Sequence, residues 1–228
     1  MKSKRFKNLP ENTKELPSEK IENLLSSIKS NCTTKFDESI DLNFRINNKQ
    51  KKNEINLRTV VNLPGGTGKS IKVAVVCEEN KIDEAKEANA DITGSDDLVE
   101  KIKNGELNFE KLICTPSMMI TLSKLGKVLG PKGLMPNPKT GTVSDDVASA
   151  IKNVKAGQVR FRTDKNGIIH GSIGRVSFDG SKIKANAVAL LEELKKLKPA
   201  SAKGMYIGNI ALSSTMGPGV KISSGDLI

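Results

Sequence analysis

The chain is poor in aromatic side chains, which make up 3% of its 228 residues, with one tyrosine and no tryptophan. Proteins that bind single-stranded nucleic acid usually stack the bases on aromatic rings. Stacking therefore cannot dominate nucleic-acid binding here, and recognition would have to use the shape, hydroxyls and phosphates of structured RNA. Histidine is equally scarce, since His170 stands alone. With no Ser or Cys nucleophile in a recognisable motif, we expect no catalytic residue and no enzyme.

Cysteines and long apolar runs are also few. Cys32, Cys77 and Cys114 are spaced too far apart to form a metal-ligand pair, so we expect reduced thiols and no metal or cofactor. The most apolar run, from Val73 to Cys77, is too short to cross a membrane or to act as a secretory signal. These absences predict a soluble, cytoplasmic protein with no membrane partner.

Positive charge is abundant and unevenly distributed. The formal net charge is +11, which favours a polyanionic partner. Residues 67–156 hold thirteen lysines, thirteen acidic residues and no arginine, so the whole excess lies outside them. Arginine presents a planar fork that suits phosphate, and the six arginines of the outer part are Arg5, Arg45, Arg58, Arg160, Arg162 and Arg175. We expect them to share one nucleic-acid surface with the strand end at Thr215.

The spacing of apolar residues changes twice along the chain, at Pro64–Gly68 and at Gly157. In the two outer parts, helical and alternating patterns predict a four-stranded antiparallel sheet with two helices. Between them, short apolar runs alternate with helices, which predicts a Rossmann-like unit with a parallel sheet. The expected fold class is therefore α/β with two domains. Residues 1–66 and 157–228 form a discontinuous α+β domain, and residues 67–156 form an inserted three-layer α/β domain.

Three local patterns carry further expectations. Residues 158–178 alternate as two strands around the turn at residues 164–167, which predicts a hairpin. Residues 126–142 contain four glycines and three prolines, which predict an irregular loop. Ser144 precedes two aspartates and is the expected N-cap of a helix over residues 145–154.

The segment LPGGTGKS, residues 63–70, has some features of a phosphate-binding P-loop. The Walker A pattern needs a glycine where Leu63 stands. It also needs a following helix, whereas the residues from Ile71 to Cys77 predict a strand. A linker between domains accounts better for these glycines. A P-loop nucleotide-binding enzyme therefore remains only as an alternative.

Two other segments favour contact with an anion or with RNA. No acidic residue lies between Lys111 and Ser144, where lysines cluster around the Gly/Pro loop. A stiff loop with ordinary surface lysines is an equally good interpretation of that charge pattern. The stretch Ser213–Gly217 offers hydroxyls for the sugar edge of RNA, a flexible methionine and a glycine that permits close approach.

Five stretches carry a resemblance to a known family. They are KFDES (35–39), LPGGTGK (63–69), KLGKVLGPKGLMPNPKTGTV (124–143), FRTDKNGIIH (161–170) and SSTMGPGVKI (213–222). From about Lys35 to Ile222 the chain resembles the large-subunit ribosomal protein L-one (L1) family, the stalk proteins. The residues before this span differ from the family pattern, being shorter and richer in Asn and Ser.

The resemblance implies a two-domain ribosomal protein with a hinge, a monomer when free, whose split domain binds a helical junction of large-subunit ribosomal RNA. It also implies a mobile stalk that helps deacylated tRNA leave the exit site, and repression of the protein's own messenger RNA. A free translational repressor without a main ribosomal role is the alternative. The implied RNA contacts are Phe36, Ser39, Asp164, Lys165, His170, Ser213, Thr215, Met216 and Gly217. The implied tRNA contacts are Lys127, Lys132 and Lys139, in a loop that faces outward.

Overall fold

A computed structural model of the chain describes residues 21–47, 57–105, 107–198 and 205–222, apart from the side chain of Lys139. These residues divide into two compact units. The split unit runs up to Gly68 and resumes at Val159, and the inserted unit runs from Lys69 to Gln158. Each boundary lies two residues after the one expected from the sequence. Within the described ranges no helix is both long and apolar enough to span a lipid bilayer.

The split unit is built on a four-stranded antiparallel sheet. Its strands are β1 (Ser39–Ile46), β7 (Ile168–Arg175), β8 (Ile207–Ser214) and β9 (Gly219–Ile222), in the order β7-β1-β8-β9. Burial alternates along β1, where Ile40, Leu42 and Phe44 are fully buried and the residues between them are not. One face of the sheet is therefore part of the core, and the other carries polar side chains.

Two helices supply the other half of that core. Helix α1 (Ile21–Ser30) buries four apolar side chains at helical spacing, Ile21, Leu24, Leu25 and Ile28. Helix α7 (Gly180–Lys196) buries another apolar stripe, which includes Leu190 and Leu194. Both stripes belong to one hydrophobic cluster with the inward residues of the sheet. The predicted four-stranded antiparallel sheet with two helices is confirmed. Because both helices pack on one face of the sheet, this unit has two layers.

The predicted pairing of the strands is wrong in one respect. Strand β6 (Gln158–Arg162) does not form a hairpin ladder with β7, because it pairs with β2 (Arg58–Asn62) in a separate two-stranded sheet. Only an isolated bridge, Thr163 to Ile169, joins β6's end to β7. The physical reason is packing. The ring of Phe161 lies so close over Gly171 that a Cβ there would be 1.8 Å from the ring, so β6 crosses the face of β7, whose ladder partner is β1.

The inserted unit has a three-stranded parallel sheet between layers of helices. Its strands are β3 (Val73–Val76), β4 (Ile92–Gly94) and β5 (Lys111–Cys114), in the order β4-β3-β5. Its helices are α2 (Ile82–Glu87), α3 (Asp96–Lys103), α4 (Pro116–Ser123), α5 (Gly126–Leu129) and α6 (Val147–Lys155). All four residues of β3 are buried: Val73 and Val75 pack with α2 and α6, and Ala74 and Val76 with α3, α4 and α5.

Two local expectations for the inserted unit need correction. Ser144 is not the N-cap of α6, because Asp146 occupies that position and its Oδ1 accepts the N–H of Ser149 at 3.0 Å. The Gly/Pro loop also contains the short helix α5 and a 3-10 turn, Pro138–Thr140. The three cysteines are free, and burial raises the pKa of Cys114 to about 11, so that thiol stays protonated at neutral pH.

Candidate nucleic-acid interface

The segment before β1 and the turn after β8 meet at one corner of the split unit, and we call residues 36–39 with 213–217 the β1–β8 corner. Thr215 joins its two halves. Its N–H donates to the Ser39 carbonyl at 3.0 Å, and its hydroxyl oxygen accepts the N–H of Ser39 at 2.9 Å. Ser213 faces the same way as Ser39, since it pairs across the ladder with Asp41. A main-chain and hydroxyl network therefore fixes the shape of the corner.

Three consecutive residues at the start of β1 bond to the segments that follow β7 and β8. Asp37 accepts the N–H of Ser177 at 3.1 Å and its hydroxyl at 2.8 Å. Glu38 accepts the N–H of Met216 at 3.0 Å, and Ser39 bonds to Thr215 as above. Because these bonds reach past the ends of both β7 and β8, the corner is a fixed surface rather than a loose connection.

The corner exposes two large apolar side chains. Phe36 is 55% exposed and Met216 is 52% exposed. Exposed groups of this size at a rigid corner are available for contact with a base or a ribose. A core position for Phe36, which the sequence left open, does not occur.

Gly217 has a steric reason to be glycine. A Cβ built on it would lie 2.3 Å from the Ser214 hydroxyl oxygen, which no real contact allows. Ser214 itself is buried, and its hydroxyl has no hydrogen-bond partner among the described residues. Since Gly217 has no positive φ, the close approach of the turn to Ser214, and not backbone conformation, excludes a side chain.

A second group of expected contacts lies farther along the same sheet. Asp164 accepts the N–H groups of Asn166 (2.8 Å) and Ile168 (2.9 Å) through Oδ1. The bond from Ile168, and then that from Asn166, hold the pKa of Asp164 below its usual value. This carboxylate therefore shapes the turn that carries the exposed Lys165. Its other oxygen lies 3.6 Å from Nε2 of His170.

His170 connects this second group to β1. Its Nδ1 lies 2.8 Å from Oδ1 of Asn43, the residue opposite it in the ladder. Asn43 and Ser39 are on the same face of β1 and four residues apart, which is roughly 13 Å in a strand. The structure thus brings six of the expected contacts together at the corner, and it places Asp164, Lys165 and His170 along the open face of the same sheet.

The arginines do not gather at the corner, contrary to expectation. Arg175 pairs with Ser39 in the ladder, and its Nη1 lies 3.7 Å from Oδ2 of Asp37. The other arginines within the described ranges are on different strands: Arg45 on β1, Arg58 on β2, Arg160 and Arg162 on β6. Arg5 lies outside the described residues. Strand pairing separates them because β2 and β6 form their own sheet, so local geometry, more than a cluster of guanidinium groups, characterises the corner.

The lysine loop of the inserted unit is partly anchored. Leu129 is buried in the unit's core, and Leu134 and Met135 pack against it. The side chains of Lys124, Lys127 and Lys132 are exposed, and within the part of the chain that is described none of the three has an ion-pair partner. The side chain of Lys139 is outside the described set. The loop therefore presents unpaired positive charge on a fixed base.

Glu38 is the residue that the sequence reasoning missed. It is 1% exposed and it bonds directly to the turn that carries Met216. A signal was present, because Glu38 has the same phase as Ile40 and Leu42 and so belongs to the buried face of the strand.

No group of three metal-ligating side chains occurs in the described ranges.

Comparison with known proteins gives consistent matches. Residues 28–218 match the sequence model of the Ribosomal protein L1p/L10e family. A curated relative from Pelagibacter ubique, "Large ribosomal subunit protein uL1", is 61% identical, and the match covers 100% of both chains. Proteins of the same name from Pseudoalteromonas atlantica and Burkholderia lata are 50% and 51% identical. These two matches cover 88% and 91% of this chain, and 86% and 89% of the relatives.

Proposed function

The chain belongs to the ribosomal protein L1 family, and from this premise we propose that its split unit binds structured ribosomal RNA through the β1–β8 corner. Its relatives carry the name of a large-subunit protein, so the chain is a ribosomal protein of that subunit and works in the ribosome, in the cytoplasm. The open question is which surface holds the RNA and how. The single observation that carries the proposal is the rigid corner at Ser39 and Thr215, with Phe36 and Met216 exposed on it.

The chemistry of the corner suits the backbone and sugar edge of folded RNA. Hydroxyl and main-chain groups at Ser213 and Thr215 match ribose 2′-hydroxyls and phosphate oxygens. Gly217 lets an RNA strand approach the main chain closely, and Met216 packs on a base or ribose. Such contacts read shape, as expected for a chain with so few aromatic rings.

The open face of the sheet extends this surface. His170 lies along it, opposite Asn43 on β1, and among the described residues no helix packs on that side; Lys165 is exposed in the turn before β7. We place them at the second segment of a bent or junction-like RNA, because one straight backbone would not follow both groups as easily. Asp164 contributes by fixing the turn, since its Oδ1 is occupied by two main-chain N–H groups.

For the inserted unit we propose a mobile role as part of a stalk at the exit site. Two of the glycines where the chain passes between the units, Gly68 and Gly157, have positive φ. Residues of this kind absorb changes of main-chain direction, as a hinge requires. The exposed lysines Lys127 and Lys132 would then meet the phosphates of deacylated tRNA and assist its release.

Repression of the protein's own messenger RNA would use the same corner. An RNA that copies the ribosomal junction presents the same shape, so one surface suffices for both ligands. Measured cosedimentation with large subunits, set beside affinity for the protein's own transcript, separates a ribosomal role from that of a free repressor. A P-loop enzyme is disfavoured because residues 69–72 lead into strand β3 and not into a helix.

The direct test is a titration of a ribosomal RNA junction fragment in a gel-shift assay. Thr215→Val removes the hydroxyl that accepts the Ser39 N–H, and Met216→Asp adds a negative charge to the exposed contact. Each change should weaken binding by about tenfold or more. Unchanged affinity for both variants would refute the corner as the RNA site. Lys182→Gln, an exposed lysine on α7, is the control for general loss of charge.

A further inference from the structure

Glu38 is a buried acid whose bonds lie just beneath the exposed corner. It is 1% exposed, so its carboxylate cannot itself contact RNA. A buried carboxylate needs hydrogen-bond donors, because removing it from water without them is costly. The donors here are specific: Oε1 accepts the Thr34 hydroxyl at 2.7 Å and Oε2 accepts the Met216 N–H at 3.0 Å.

The bond from the Met216 N–H spans the two halves of the corner, whereas the single Thr34 hydroxyl proton serves either Glu38 or the Phe36 carbonyl and not both at once. Thr34 Oγ1 lies 3.0 Å from the Phe36 carbonyl oxygen as well as 2.7 Å from Glu38 Oε1. The carbonyl of Glu38 accepts the N–H of Val176, and this bond fixes the main chain of Glu38 against the segment that follows β7. Glu38 therefore connects the half of the corner that carries Phe36 with the half that carries Met216.

We propose that Glu38 is the positioning residue of the RNA site: its carboxylate holds the turn at Met216 in the form that meets RNA. This inference rests on the proposed function of the corner. RNA affinity depends on the length of the side chain and on its acceptor geometry, and its negative charge does not contribute to that affinity. A negative charge beside a phosphate-binding surface repels the ligand, so we infer that the acid acts through the geometry of its hydrogen bonds.

Two conservative substitutions separate reach from charge. Glu38→Gln keeps the length of the side chain and loses the charge. Its amide oxygen can accept the Met216 N–H, while its NH₂ donates to Thr34 Oγ1 and the Thr34 proton turns to the Phe36 carbonyl. Glu38→Asp keeps the charge but is one methylene shorter, so the bond to Met216 is lost.

The experiment is a titration of the junction RNA with the full chain carrying each substitution. We expect Glu38→Gln to bind within about threefold of the unmodified protein, and Glu38→Asp and Glu38→Ala to bind about tenfold more weakly. Protection of the Met216 amide against hydrogen exchange in the free protein should follow the same order: Glu38→Gln close to the unmodified protein, and Glu38→Asp and Glu38→Ala lower. Glu192→Gln removes an exposed acid from α7 of the same unit and is the charge control.

The outcomes distinguish this inference from the proposed function. If the unmodified protein fails to bind the junction, the proposed function is wrong. If it binds and Glu38→Asp binds equally well, or Glu38→Gln is as weak as Glu38→Asp, the positioning role is wrong. Should Glu38→Ala fail to fold, the Asp and Gln pair together with Met216 amide exchange still decides between these results.

Discussion

The two units of the chain have different kinds of candidate surface for a polyanion. The split unit has an antiparallel sheet with one open face, and its candidate site is made of hydroxyls, main-chain groups and a buried acid. The inserted unit has a parallel sheet with helices on both faces, and its candidate contact is a loop of unpaired lysines. The comparison teaches that the unit with the excess of positive charge has a candidate site built by close-range geometry, whereas the neutral unit has one built by unpaired lysines.

The largest expected effect separates the two units by stability. Asn186 is fully buried on α7, where its Oδ1 accepts the Gly65 N–H at 2.8 Å and its Nδ2 donates to the carbonyls of Gly66 and Ile173. Asn186→Leu leaves these three main-chain groups without partners and should lower the free energy of unfolding of the split unit by about 3 kcal/mol.

Chemical denaturation, monitored by hydrogen exchange in each unit separately, measures this change in the free energy of unfolding. Exchange in the core of the inserted unit should stay as it is, and Ala185→Leu on the exposed side of α7 should change stability by no more than about 0.5 kcal/mol. Equal loss of protection in both units would contradict their independence.

The next effect tests whether close approach at the corner matters for RNA affinity. Gly217→Ala brings a Cβ to 2.3 Å from the Ser214 hydroxyl oxygen, so either that hydroxyl must rotate away or the turn must shift. We expect about a tenfold loss of affinity for the junction RNA. Ser214→Ala alone should be nearly neutral, because that hydroxyl has no partner among the described residues.

The double variant is the decisive part of this test. With the Ser214 hydroxyl removed, the nearest atom of Ser214 to the new Cβ is its own Cβ at 3.5 Å, an ordinary contact. Affinity should therefore recover when Gly217→Ala and Ser214→Ala are combined. A double variant as weak as Gly217→Ala would show that the methyl group blocks the RNA itself.

A smaller effect is expected in the inserted unit. Lys127→Gln and Lys132→Gln together should lower affinity for deacylated tRNA by about threefold to tenfold and leave binding of the ribosomal junction unchanged. Lys103→Gln, on the exposed side of α3, is the matched control. A larger loss for the ribosomal junction than for tRNA would reverse the assignment of the two units.

Apolar periodicity predicted the longer helices and strands, but not α5, β9 or which strands pair. The alternation of Ile40, Leu42 and Phe44 predicts a strand with one buried face, and β1 has that form. Sequence neighbours suggested that β6 pairs with β7, yet the Phe161 ring covers Gly171 and β7 pairs with β1. A ring packing onto a glycine from another strand is a tertiary contact, and local patterns do not encode it.

The residues of the candidate site came from the resemblance, and they stay a prediction. The resemblance located Phe36 and Met216, which the structure exposes, but charge counting suggested that arginines would surround them. The arginines lie on four different strands, whose neighbours in space are set by pairing and not by sequence. Glu38 is in phase with the buried face, but few acids are buried, so periodicity alone does not predict a buried carboxylate there.

The account rests most directly on the split unit binding ribosomal RNA by itself. The measurement is the affinity of the junction RNA for a chain in which residues 69–158 are replaced by a short Gly/Ser linker, with the Met216→Asp form of the same shortened chain as control. We predict affinity within about twofold of the full chain, lost again on Met216→Asp. A folded shortened chain that no longer binds the junction would contradict the account.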